Sequence, residues 1–106
     1  MTKARINPGV CGFVANVEAH SDDGLEVKLI VKSGCESVVK MFKELGDVVD
    51  SYEVCLAKPG KGPFYEYASE NFPAHCGCPI IPGIVKTIEA ECKLALPRNV
   101  SIEFID

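Results

Sequence analysis

No hydrophobic run in this sequence approaches the roughly 18 residues that a membrane-spanning helix needs, so no membrane partner is expected. Positive charge is also short: 11 Lys and Arg stand against 15 Asp and Glu, for a net charge of −4. The lysines are scattered among acids rather than clustered. The counterion release that drives nonspecific nucleic-acid binding has no patch to work from, and no nucleic-acid partner is expected. The basic residues Lys3 and Arg5 are not backed by an apolar stretch of signal-peptide length, which points to a cytoplasmic address. Internal repeats, low-complexity segments and linkers are missing, so the 106 residues read as a single domain, 1–106, with one modest core.

Familiar catalytic patterns are missing as well. No glycine-rich loop follows a strand in phosphate-binding form, and no Ser, His and Asp arrangement stands out. An adjacent His75–Cys76 nucleophile pair is disfavoured because neighbouring side chains seldom face one another. The expectation is a protein without enzymatic activity of its own.

Cysteine is what the chain has in excess, with six residues. In a reducing compartment that number points to metal binding, redox work or simple burial rather than to disulfides. The densest reactive stretch is His75-Cys76-Gly77-Cys78-Pro79. Glycine between the two cysteines lets the backbone curl so that both sulfurs face one point. Such a pair suits a soft metal ion or an iron–sulfur cluster. The repeated two-residue spacing of structural zinc sites is not present, which leaves zinc as the second candidate cofactor. His75 would be a further ligand or a donor to a sulfur.

The remaining pattern supplies a scaffold. From Val10 to Ala19 the residues alternate, with Cys11, Phe13, Ala15, Val17 and Ala19 on one face. His20-Ser21-Asp22-Asp23-Gly24 is a turn, and Leu25, Val27, Leu29 and Val31 alternate beyond it, giving an antiparallel hairpin. A turn centred near Asp22 places Cys11 across from Ser33 and brings Cys11 and Cys35 to one open end. Ser33-Gly34-Cys35-Glu36 has the form of a capping box, with Ser33 as N-cap, and Val38, Val39, Phe42 and Leu45 follow at helical spacing up to Gly46. Cys35 would then sit in the first turn, where free amides and the helix dipole favour a thiolate.

Asp47 to Leu56 admits either a short strand or a helical turn. Lys58 to Pro63 is a loop, Phe64 to Phe72 a short helix, and Ile84, Val85, Ile88, Cys92 and Ala95 mark a last helix ended by Leu96-Pro97. Cys92 lies on the inward face of that helix and reads as core. Val100, Ile102 and Phe104 alternate with Ser101, Glu103 and Ile105 as a final strand.

Ser33-Gly34-Cys35 opening one helix and Cys78-Pro79 opening another resemble the TSCPD domain, on Gly34, Cys35, Cys78 and Pro79 over about the middle half of the chain. That resemblance implies a small domain found alone or at the tail of some ribonucleotide reductases, with a suspected metal-binding role. Ser33-Gly34-Cys35 with the later Cys76-Gly77-Cys78 is also similar, more weakly, to the three-cysteine pattern of A-type iron–sulfur carriers. The chain taken whole looks like small cysteine-containing proteins of anaerobic microbes.

The expected fold is α+β: the N-terminal hairpin and the C-terminal strand in one small antiparallel sheet, helices packed on one face, and Val17, Val27, Leu29, Phe42, Ile84 and Ile88 between the layers. The expected site is a metal or iron–sulfur centre liganded by Cys11, Cys35, Cys76 and Cys78, in a carrier or sensor with a protein partner. The alternative is a non-enzymatic structural or partner-binding domain with free buried thiols and no metal.

Overall fold

A computed structural model describes residues 1–106. The chain forms β1 (Thr2–Ile6), β2 (Ala15–His20), β3 (Glu26–Ser33), α1 (Glu36–Leu45), β4 (Val48–Asp50), α2 (Ser51–Cys55), α3 (Pro63–Asn71) and α4 (Ile80–Glu91). The strands make one antiparallel sheet in the order β1-β2-β3-β4. This is the expected α+β class, with strand residues buried on alternate positions as in a sheet covered on one side.

Ala15, Val17 and Ala19 of β2 and Val27 and Leu29 of β3 meet Val38 and Met41 of α1, Val54 of α2, Phe64 of α3 and Ile80, Ile81, Ile84 and Ile88 of α4 in one core. Each large side chain buried this way contributes about 1.5–3 kcal/mol. Phe42 is only half-buried and closes the core edge through an edge-to-face contact with Phe64, ring centres 5.4 Å apart. The outward residues Lys3, Arg5, Asn16, His20, Glu26, Lys28 and Lys32 leave the other sheet face mostly polar, with exposed Ile30 and Val48 among them.

The hairpin forms, but its register differs from the expected one. Ala15 pairs with Ser33 and His20 with Lys28, which centres the turn on Gly24, two residues beyond Asp22. Side chains of the turn cause the shift. Asp23 accepts from the Leu25 and Glu26 amides at 2.9 and 3.0 Å, while Ser21 Oγ donates to the Glu26 carbonyl at 2.7 Å and accepts from Gly24 N at 2.9 Å. These bonds build a wider turn than a two-residue hairpin. Cys11 therefore lies in the β1–β2 connection, outside the ladder, rather than opposite Ser33.

The C-terminal strand does not form. Residues 95–106 have no regular structure, and the sheet is completed instead by β1 and β4. An alternating pattern makes a segment competent to pair, but a strand exists only once a neighbour supplies the hydrogen bonds. In 47–56, where strand and helical turn were both open, the chain uses both: β4 and then α2, with Asp50 capping the Tyr52 and Glu53 amides.

Two helix boundaries also move. Cys35, not Ser33, is the N-cap of α1, with extended backbone and no side-chain capping bond, and Ser33 Oγ accepts from Cys35 N at 3.1 Å. The buried face of α1 is Val38 and Met41, while Val39 and Leu45 are exposed. Helix α4 stops at Glu91, not at Leu96-Pro97, because Lys93 turns left-handed (φ 61°) and Leu94 N donates back to the Glu89 carbonyl at 2.8 Å.

Candidate functional site

The sheet has two distinct ends. At one, Ile6, Ala15 and Ser33 stand in a row across β1, β2 and β3. At the other, Glu91 accepts from Thr2 Oγ1 at 2.8 Å and from Ser21 N at 2.9 Å, and lies 3.5 Å from the N-terminal ammonium. Burial disfavours the Glu91 carboxylate, but the Ser21 amide, the Thr2 hydroxyl and the ammonium outweigh it and hold its pKa below the usual carboxylate range. These bonds fix the C-terminal end of α4 beside Thr2 and the hairpin tip.

The opposite end of α4 lies under Ile6. A Cβ added to Gly83, in the first turn, would come within 2.5 Å of Ile6 Cδ1. Helix α4 therefore runs antiparallel to β1 and delivers its N-terminus, with Cys78 two residues before Ile80, to the Ile6–Ala15–Ser33 end. The β1–β2 connection carrying Cys11 is at the same end by connectivity. Its Phe13 ring lies against Gly34, 3.1 Å from where a Cβ would stand, next to Cys35. Three cysteine-bearing segments, remote in sequence, thus arrive at one end of the sheet.

Their side chains are placed differently. Cys35 and Cys78 are half-buried and pack on the core, whereas Cys11 and Cys76 are exposed on loops. Cys76 is near enough to Tyr65 of α3 for its thiolate to act, second to burial, in raising the Tyr65 hydroxyl pKa. All six cysteines are free thiols, and no three His, Cys, Asp or Glu side chains are grouped closely enough to hold a metal ion. His75 is exposed, and His20, at the hairpin tip, pairs with Asp22 at 3.1 Å.

Cys92 follows the last residue of α4, half-buried against the core as its position in the apolar stripe implies. Cys55 was not among the candidate residues, yet it is the most perturbed thiol. Its sulfur lies 3.8 Å from the Val85 carbonyl, and burial, with Glu89 and Cys92 nearby, pushes its pKa up to about 12. Val85, Glu89 and Cys92 are four and seven residues apart, one stripe of a helix, so half of this group was readable from spacing. The other half required knowing that α2 packs on α4.

The chain belongs to a family of unknown function (DUF6951), whose model matches residues 2–104. No curated protein and no solved structure matches it.

Proposed function

We propose that the protein is a small cytoplasmic binder of a thiophilic metal ion or iron–sulfur cluster, a carrier or sensor without catalysis of its own. Cys11, Cys35, Cys76 and Cys78 are its ligands. One observation carries the reading: three segments bearing free thiols meet at the Ile6–Ala15–Ser33 end of the sheet. Thiolates favour soft ions and clusters over harder ligands, and four of them complete a tetrahedral set. Cys35 and Cys78, held against the core, are the anchored half of this set; Cys11 and Cys76, on the loops, are the half that closes. Binding free energy then goes partly into ordering the two loops, as in other small sites where metal binding and folding are coupled.

The test is metal analysis and a visible spectrum of protein purified without air. Bound metal or a cluster chromophore is expected in the parent and in Cys92→Ser, but not in Cys78→Ser. A folded parent that is colourless and metal-free would overturn the reading. That outcome would favour a partner-binding domain with free thiols, a reading supported by the exposed apolar residues Val100, Ile102, Phe104 and Ile105.

A further inference from the structure

The chain carries two halves of a strand pairing that it does not make. One half is the outer edge of β1, an end strand of the sheet with no neighbour beyond it. The other is Val100–Ile105, which has the alternating pattern of a strand but no regular structure. Val100, Ile102 and Phe104 are 64%, 79% and 98% exposed. An unpaired edge and an unpaired, strand-patterned apolar segment are complementary surfaces.

We propose that the segment Val100–Ile105 adds as an antiparallel strand to the β1 edge of a second copy of this chain, reciprocally, to form a two-fold dimer. Direction argues for the second copy. Helix α4 ends beside Thr2, so a segment returning along its own β1 would start at the Thr2 end and run parallel to it. Parallel pairing is the weaker arrangement per residue. That edge is open and close at hand, yet residues 95–106 do not occupy it. A two-fold relation supplies the antiparallel direction and is the commonest symmetry of homo-oligomers.

Pattern and charge fit the same pairing. On β1, Thr2, Ala4 and Ile6 face the helices and Lys3 and Arg5 face outward. Placing Val100, Ile102 and Phe104 on the helix side extends the apolar layer and puts Ser101, Glu103 and Ile105 on the side of Lys3 and Arg5. Arg5 and Glu103 have no ion-pair partner within the chain, whereas Lys3 already lies 3.6 Å from Glu18. Glu103 opposite Arg5 is the cross-strand charge pair that this register offers.

Sedimentation of the whole protein across a concentration series reads the outcome directly, with amide exchange reporting on Val100–Ile105. A mass that doubles with concentration, together with slowed exchange in this segment, is expected. Ile102→Asp and Phe104→Asp, in a segment outside the buried core, should leave the monomer folded by circular dichroism and abolish the dimer. Arg5→Glu should weaken it roughly five- to thirtyfold, since a two-fold repeats the pair, and Arg5→Glu with Glu103→Arg should restore it. A monomer at every concentration overturns the proposal, whether its segment exchanges freely or is protected on its own β1. So does a dimer indifferent to Ile102→Asp and Phe104→Asp.

Discussion

Gly83→Ala is the substitution that most directly probes how α4 is seated. In an exposed helix interior the change is stabilising, by about 0.8–1 kcal/mol, because alanine loses less backbone freedom. Here the new Cβ would meet Ile6 Cδ1, Cγ1 and Cγ2 at 2.5, 2.6 and 3.1 Å. Rotation of one terminal methyl cannot clear contacts to three atoms of a β-branched side chain, so α4 must lift away from β1. Overpacking of this kind costs about 1–3 kcal/mol. The net effect in the parent is therefore a destabilisation between zero and about 2 kcal/mol. Removing the obstacle reverses the sign: in an Ile6→Ala background, Gly83→Ala should stabilise by up to about 1 kcal/mol. Urea unfolding of the four proteins of this cycle measures both values, and the coupling between the two sites should exceed 1 kcal/mol in order of magnitude. Equal stabilisation by Gly83→Ala in both backgrounds would refute the close approach of α4 to Ile6, and with it the delivery of Cys78 to that end of the sheet.

Three further outcomes follow from polar and thiol groups. Ser51 is fully buried and its Oγ donates to the Gly24 carbonyl at 2.6 Å, so Ser51→Ala should cost about 1–2 kcal/mol, seen as a melting temperature lowered by roughly 4–15 °C. Because the folded Glu91 pKa is depressed, its contribution is present above the unfolded carboxylate pKa and lost as pH falls through the folded value. Unfolding midpoints across the acid range should show a shallower pH dependence for Glu91→Gln than for the parent, and identical slopes would contradict the role given to Glu91. In native protein near pH 8, mapped by mass spectrometry, iodoacetamide should modify exposed Cys11 and Cys76 well before Cys55, whose thiolate forms only near pH 12. Preferential labelling of Cys55 would be the contrary result.

The hairpin's inward faces were legible although its register was not. The turn centre moved by a whole number of residue pairs, from Asp22 to Gly24, so Ala15, Val17, Ala19, Val27 and Leu29 kept their side of the sheet. The shift came from Ser21 and Asp23 bonding to the turn backbone, a choice that alternation does not report. Strand β1 was missed because five residues with two charges and only one large aliphatic side chain give little periodic signal; pairing with β2 makes them a strand. The converse error fell at Val100–Ile105, where the pattern was strong but the segment pairs with no strand of the chain. Clustering of the cysteine segments was half legible. The β1–β2 connection that carries Cys11 reaches Gly34 through Phe13, and not through the ladder from which its place was read. Docking of the Cys78 segment there depended on the contact of Gly83 with Ile6 and on the Glu91 tether, both set by tertiary packing.

Titration of the reduced, metal-free protein with cobalt(II) under anaerobic conditions tests most directly whether the Cys11, Cys35, Cys76 and Cys78 thiols share one ligand. The expected result is a saturable thiolate-to-cobalt absorption with tetrahedral bands, weakened or shifted by serine at any of the four positions and unchanged by Cys92→Ser. Absence of such bands, or bands indifferent to all four substitutions, would contradict a shared thiolate site at that end of the sheet.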